Sequence, residues 1–168
     1  MPLTLILMRH AKSAWDDPTQ DDFDRPLNGR GRKSAPAIAG WLAEKGYLPD
    51  VVLVSGARRT VETWERMASR MPETAEMQSA PALYLAEPRV ILDVLRSQSE
   101  PTIMMIGHNP GFAMLASELC KSAPQHPKFD QYPTAATSVF TFDETEWSRV
   151  APGTGTLIDF VVPRDLID

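Results

Sequence analysis

The 168-residue chain holds a single cysteine, Cys120. No internal disulfide can form, and nothing asks for an oxidising compartment. No apolar stretch approaches the roughly 20 residues of a membrane span. The early apolar run Leu3–Met8 is too short for a secretory leader core and lacks a basic start and a small-residue cleavage site. Positive charge is scarce: 17 Lys and Arg stand against 22 Asp and Glu, for a formal net charge of -5 and a pI of about 5.2. That balance argues against a general nucleic-acid binder or an anionic-membrane binder. There is no GxxxxGK[ST] phosphate loop and no GxSxG elbow. Cys120 is followed six residues later by His126, not Arg, so the CxxxxxR arrangement fails too. Internal repeats and low-complexity segments are missing, and the 15 prolines are scattered through loops and caps, so no linker divides the chain. The expectation is one soluble, cytoplasmic domain over residues 1–168, long enough to bury a sizeable core.

What is present alternates. Leu3–Met8 (LTLILM) reads as a strand buried on both faces, and Arg9-His10 follows at once. Residues 14–28 are rich in Asp and Pro and read as loop. Asn28 is an N-cap for a helix to about Lys45, with Ile38, Trp41 and Leu42 on one face and Gly46 as its stop. Val51–Val54 is a second buried strand, and Ser55-Gly56 leads into a helix from about Arg58 to Met71. Residues 76–84 hold a short strand and a turn, and Pro88 suits the first turn of a helix reaching Arg96. Thr102–Ile106 is a third apolar strand, ending in Gly107-His108-Asn109-Pro110, with a helix from about Phe112 to Cys120 beyond it. A Pro-rich loop, 122–134, precedes two closely spaced strands, Ala136–Phe142 and Leu157–Val162. The order predicts an α/β fold of three layers, α/β/α, with a mostly parallel central sheet and an antiparallel element from the final pair.

In open α/β sheets, sites form beyond the carboxyl ends of strands. Three strand ends carry unusual residues: Arg9-His10, Ser55 to Arg59, and Gly107-His108. The resulting pocket is basic although the chain is acidic. Guanidiniums bind phosphate oxygens bidentately and stay charged. A histidine kept unprotonated by neighbouring arginines can attack phosphorus, and a second can stabilise the charge that develops. Two histidines without a third ligand make a poor zinc site, so neither metal nor cofactor is expected. Taken singly, each feature has a plainer reading. A strand-end histidine is more often structural, and Arg58-Arg59 is a solvated helix face. Cys120 reads as a small buried apolar residue, His126 as exposed and uninvolved, and Asp22-Phe23-Asp24 as loop.

The same residues resemble a known family. Met8-Arg9-His10-Ala11-Lys12-Ser13 resembles the RHG signature of the histidine phosphatase superfamily, with Ala11 in place of glycine. Ser13-Ala14-Trp15-Asp16 resembles its SxWN, with Asp16 where asparagine is common. Leu27-Asn28-Gly29-Arg30-Gly31 resembles its LTxxG helix start. Ser55 to Thr63 (SGARRTVET) resembles SPLxRAxQT, which aligns Arg59, not Arg58, with the phosphate-binding arginine. Gly107-His108-Asn109 resembles the second histidine motif. The set spans residues 3 to about 120, in the family's order. The Asp24-Arg25-Pro26-Leu27 run and the short chain look most like the SixA-type phosphohistidine phosphatases.

The resemblance implies a phosphoglycerate mutase-like fold and a metal-independent phosphatase. His10 would be the nucleophile, carrying a phosphohistidine intermediate, with Arg9, Arg59 and His108 forming the phosphate pocket. The implied partner is a phosphohistidine-bearing signalling protein. A small phosphate ester or anhydride as substrate, and a non-catalytic phosphoprotein-binding module, are the alternatives. The glutamate that many members use as proton donor, in an L-x-E segment, is replaced in Leu83-Tyr84-Leu85. Glu87, which an extended segment would turn to the same side, is a candidate donor. Residues 122–168 either complete the sheet or wall the pocket.

Overall fold

A computed structural model describes residues 2–168. At its centre lies a mixed sheet of β1 (Leu3–Arg9), β2 (Val51–Val54), β3 (Glu76–Ser79), β4 (Thr102–Gly107), β5 (Thr137–Phe142) and β6 (Thr156–Val161), in the order β3-β2-β4-β1-β5-β6. The first four run parallel; β5 runs antiparallel to β1, and β6 antiparallel to β5. The final pair of strands is thus the antiparallel element.

The helices are α1 (Gly29–Lys45), α2 (Arg58–Met67), α3 (Pro88–Arg96) and α4 (Gly111–Leu119). They sit on both faces, because alternate side chains of the central strands feed two separate cores. Leu5, Leu7, Leu53, Ile103 and Met105 pack with Ile91 and Leu95 of α3 and Phe112 and Leu115 of α4. Ile6, Met8, Val52, Val54, Met104 and Ile106 pack with Ile38 and Leu42 of α1 and Trp64 and Met67 of α2. This double burial is why β1, β2 and β4 read as unbroken apolar runs. The edge strand β3 is exposed throughout (EMQS) and is held by backbone pairing to β2. α2 gives way to a 3-10 turn at Ala68–Arg70, so it is shorter than the expected span to Met71. Cys120 lies one residue past α4 in extended conformation, half-buried, with its thiol 3.3 Å from the Ala116 carbonyl. Among the described residues no helix is long and apolar enough to cross a membrane.

Register places the functional edge. Arg9 pairs with Gly107, and Val54 with Ile106. His10, Ser55 and His108 therefore leave the sheet side by side at the carboxyl ends of β1, β2 and β4. That edge falls where the chain, having passed from β1 to β2, returns to insert β4 between them, which is the topological position at which such sheets open a crevice.

The start of α1 is pressed against the segment just after β1. The Asn28 side chain accepts from Gly31 N–H at 2.9 Å, an N-cap, and Asn28 N–H donates to the Lys12 carbonyl at 3.0 Å. A Cβ on Gly31 would sit 2.2 Å from the Lys12 carbonyl oxygen. The glycine is there for close approach, and the helix cannot take a side chain without moving off the strand end. Gly31→Ala is expected to destabilise by about 1–3 kcal/mol, read as a lower denaturation midpoint, because two backbone segments must part. A midpoint equal to the parent's would show that the contact is soft.

Candidate active site

His10 is fixed first through its backbone. Its N–H donates to the Gly107 carbonyl at 3.0 Å and its carbonyl accepts from Ala135 N–H at 2.9 Å. Its ring is fixed through Nδ1, which lies 2.6 Å from the Ala11 carbonyl. A carbonyl only accepts, so Nδ1 carries the proton and Nε2 is left with its lone pair. Arg59 Nε donates to that lone pair at 3.3 Å. The Ala11 peptide is itself held, because Ala11 N–H donates to Thr63 Oγ1 at 3.0 Å. The Thr63 hydroxyl donates in turn to the Arg59 carbonyl at 2.6 Å. One turn of α2 thus positions both the backbone that orients His10 and the arginine facing its free nitrogen.

The His108 ring lies 5.4 Å from that of His10, centroid to centroid. Thr60 commits its hydroxyl proton to the Ala57 carbonyl at 2.8 Å. Ser55 then donates to Thr60 Oγ1 at 3.0 Å, and the Ser55 oxygen accepts the Nε2–H of His108 at 2.7 Å. That network assigns the tautomer and leaves His108 Nδ1 buried and unpartnered among the described residues. Arg9 Nε is the other buried nitrogen in that position. Arg9 Nη1 donates to the Tyr132 carbonyl at 3.3 Å.

Burial sets the protonation states. It pushes His10 well below the ordinary histidine value, and the nearby His108, Arg9 and Arg59 push the same way, against the Ala11 hydrogen bond. Burial, then the Arg59 charge, lowers His108 to about 3. Arg9 is also lowered, by burial and then by Arg59. Both imidazoles are neutral at pH 7.

Arg59 is buried, and Arg58 is exposed and paired with Glu62 at 3.9 Å, as the alignment with Arg59 requires. Residues that the sequence reading left in a loop join the site. Asp22, in a 3-10 turn (Asp22–Asp24), takes Arg59 Nη2 on its carboxylate at 3.0 Å and Arg59 Nη1 on its carbonyl at 2.7 Å. The same carboxylate accepts from Arg25 at 3.0 Å and from the Tyr84 hydroxyl at 2.5 Å. Partial burial works against its charge, but the hydrogen bonds from Tyr84, Arg25 and Arg59 outweigh it and hold Asp22 well below the carboxylate range. The Tyr84 ring meets His108 edge-on at 5.3 Å. Arg25 is buried, donates to Ser13 Oγ at 2.6 Å, and lies 3.5 Å over the exposed Trp15 ring. The only sequence signals for this cluster were the Asp24-Arg25-Pro26-Leu27 run beside Asp22, and Tyr84 inside the altered L-x-E segment.

Glu87 is not brought into hydrogen-bond contact with any of these groups. Pro81–Leu83 forms a 3-10 turn and Leu85 takes a left-handed φ of 49°. The extended path that would have turned Glu87 to the same side is therefore not formed. Glu87 is exposed, makes no side-chain hydrogen bond or ion pair among the described residues, and lines a neighbouring cleft with Pro110 and Gly111. Asp16 is likewise exposed and unpaired among them. The 122–134 loop touches the site, since the Tyr132 carbonyl accepts from Asn109 at 2.9 Å as well as from Arg9. His126, expected to be exposed and uninvolved, is half-buried and bonded to Asp165 at 3.0 Å and to Lys128 N–H at 3.0 Å, with its ring edge-on to Phe160.

Comparison with known proteins agrees with this geometry. A family model described as the histidine phosphatase superfamily (branch 1) matches residues 5–84. An uncharacterised protein of Mycobacterium tuberculosis is 32% identical over 164 residues, covering 94% of this chain and 100% of its own. The phosphohistidine phosphatase SixA of Escherichia coli is 27% identical, over 85% of this chain and 88% of its own. The chain spans 58% of the length of an uncharacterised chloroplastic protein of Arabidopsis thaliana, to which it is 36% identical. Among solved structures, a putative SixA phosphohistidine phosphatase from Agrobacterium tumefaciens superposes with a TM-score of 0.79 at 26% identity, covering 97% of this chain and 99% of that one.

The lowered histidine values have a consequence for stability. Unfolded histidine takes up a proton below about pH 6.5. The folded chain refuses it, so ν_U exceeds ν_N and stability falls as pH drops from about 6.5 toward the His108 value of about 3. Urea denaturation between pH 7.5 and 4.5 is expected to show this loss, and a shallower one in His108→Asn. Parallel slopes in the two proteins would mean that His108 is not held neutral.

Proposed function

Because the chain belongs to the histidine phosphatase superfamily, we propose that it is a metal-independent phosphatase working through a phosphohistidine intermediate on His10. The observation that carries the reading is the tautomer of His10: its Nδ1 proton is committed to the Ala11 carbonyl, so Nε2 is unprotonated at pH 7, its lone pair facing Arg59. In the first step Nε2 forms a bond to phosphorus as the leaving group takes the P–X electron pair. In the second, a water oxygen bonds to phosphorus, the P–Nε2 bond breaks with its electron pair returning to Nε2, and the proton that the water loses passes to solvent. Arg59, beside Nε2, and Arg9 hold the phosphoryl oxygens. The two buried unpartnered nitrogens, Arg9 Nε and His108 Nδ1, suit an oxyanion. Arg9 donates as it stands, and His108 donates once the added negative charge favours its protonated form.

The leaving group argues for the substrate. Leu85 stands at the position of the family's proton donor, and Glu87 makes no contact with the site. A phosphoryl group borne on an imidazole leaves without a strong protein acid, because once solvent has protonated the other ring nitrogen the ring departs as neutral imidazole. We therefore take phosphohistidine on a protein as the substrate, in keeping with the likeness to the SixA phosphohistidine phosphatases.

The Asp22 carboxylate now shares Arg59 with any incoming phosphate. Removing its charge lessens the repulsion toward a dianion, so Asp22→Asn is expected to lower the inhibition constant of inorganic phosphate or vanadate about three- to tenfold. A weaker inhibition would show that Asp22 acts chiefly by positioning Arg59.

His10→Ala is expected to abolish turnover of p-nitrophenyl phosphate and of phosphohistidine, and more than a few per cent residual activity would exclude His10 as the nucleophile. Arg59→Ala should cost more than Arg58→Ala, and activity should survive EDTA. Phosphohistidine should be preferred over sugar phosphates and nucleotides. An opposite preference of about 100-fold, some 2.7 kcal/mol in the transition state, would move the assignment to a small-molecule ester phosphatase.

A further inference from the structure

We propose that the cleft between α1 and the 126–134 loop is a docking groove for an acidic segment of the protein substrate, an inference that rests on the function assigned above. The cleft has a volume of about 540 Å³. Four cations line it: Lys12, Arg30, Lys128 and Arg164. Arg30 is engaged, donating to the main-chain oxygen of the last residue, Asp168. Among the described residues Lys12, Lys128 and Arg164 have no carboxylate within 4.0 Å. The one acid in the lining, Asp165, is already committed, accepting from Val162 N–H at 3.1 Å and from His126 Nε2 at 3.0 Å. A chain of net charge -5 thus gathers unpaired positive charge in one concavity. Such a place focuses field lines toward an anionic partner that the rest of the surface repels.

The groove is built from segments adjoining those that hold the catalytic centre, although none of Arg9, His10, Arg59 and His108 lines it. Lys12 is two residues beyond His10. The opposite wall is pinned to the site at three points: the Tyr132 carbonyl takes Arg9 and Asn109, and Ala135 N–H donates to the His10 carbonyl. A chain lying along that wall with its acidic side chains on Lys128 and Arg164 brings a neighbouring residue toward His10. Pro127, Pro133 and Pro163 make parts of the wall stiff and apolar, which suits an extended backbone.

The form of the cations points to a protein segment over a small polyanion. Lys12, Lys128 and Arg164 are exposed, and no neighbouring carboxylate fixes their charged ends, unlike the buried Arg59 fork. Exposed, hydrated charges of that kind steer and register a charged surface, and they act on association more than on the chemical step. They are poorly organised to hold one small phosphate tightly.

The test uses two phosphohistidine peptides of equal length, one with Asp and Glu around the phosphohistidine and one with Ser and Gly. At low salt the parent protein is expected to favour the acidic peptide by about tenfold in kcat/KM, through KM, and to lose that preference at high salt. Lys128→Glu combined with Arg164→Glu should abolish the preference and leave p-nitrophenyl phosphate turnover and thermal midpoint unchanged, which also shows that the variant is folded. Equal kcat/KM for the two peptides in the parent, or a preference that survives in the variant, would overturn the proposal. Turnover of p-nitrophenyl phosphate without turnover of either peptide would instead refute the phosphohistidine reading. The groove is then judged by fluorescence anisotropy with a labelled, unphosphorylated acidic peptide. Binding that the double variant loses supports it, and no binding by the parent overturns it. Displacement of that peptide by tripolyphosphate at far lower concentration than by unlabelled peptide would reassign the groove to a small polyanion, and overturn it as well.

Discussion

The carbonyl of Ala11 accepts the ring proton of His10, and the rest of the site depends on that oxygen staying where it is. A peptide just past a strand end has no sheet partner of its own to hold it. Two helices supply the restraint. α2 reaches across with the Thr63 hydroxyl to the Ala11 N–H, and α1 starts so close to Lys12 that only glycine fits at position 31. The 132–136 segment closes the third side through the His10 carbonyl and the Arg9 N–H. The apolar layers beneath give these helices fixed positions on the sheet, so the packing of Trp64 and Met67 under α2 is transmitted to the orientation of one imidazole.

Concentrating two guanidiniums and two imidazoles at one sheet edge is electrostatically unfavourable without a counter-charge. The histidines answer by remaining neutral. Arg59 is answered by Asp22, whose carboxylate also gathers Arg25 and the Tyr84 hydroxyl. Asp22 is therefore part of the site's charge balance, which a phosphate held by Arg59 would change. Two anions on the same guanidinium cannot both be served in full, so on the proposed function the loop that carries Asp22 and the substrate phosphate are energetically coupled through Arg59. The position of Trp15 over Arg25 extends that coupling to an exposed aromatic at the rim.

What was legible in the sequence follows from this. β1, β2 and β4 declare themselves because burial on both faces forces unbroken apolar runs, and the residues just past their ends are then readable as a site. Arg59 was separable from Arg58 only through the motif, since both lie in the first turn of one helix and composition does not say which faces inward. β3 carries no apolar signal, because an exposed edge strand is held by its backbone. Asp22 was invisible because its partner lies 37 residues away and its surroundings read as an acidic loop. Glu87 illustrates the opposite error: the two-residue alternation that favoured it holds only in extended chain, and a 3-10 turn followed by a left-handed Leu85 breaks it. His126 gained partners from Phe160 in β6 and from Asp165 just beyond it, both far along the chain.

The two kinds of positive charge in this molecule are built differently, and the difference separates their work. Arg9 and Arg59 are enclosed, tied to backbone carbonyls, and lowered or paired by their neighbours, so little rotamer freedom remains to be lost when an oxyanion arrives. Lys12, Lys128 and Arg164 keep that freedom and their hydration. Each contact they form is therefore worth little singly and is weakened by salt. Chemistry needs the first kind, because charge develops at fixed points during phosphoryl transfer. Recognition of a partner that is itself flexible and acidic is served by the second, because binding then tolerates variation in the partner's outline without disturbing His10. The 126–135 segment joins them: one side of it borders the exposed cations, and its backbone carbonyls and N–H groups hold the enclosed site.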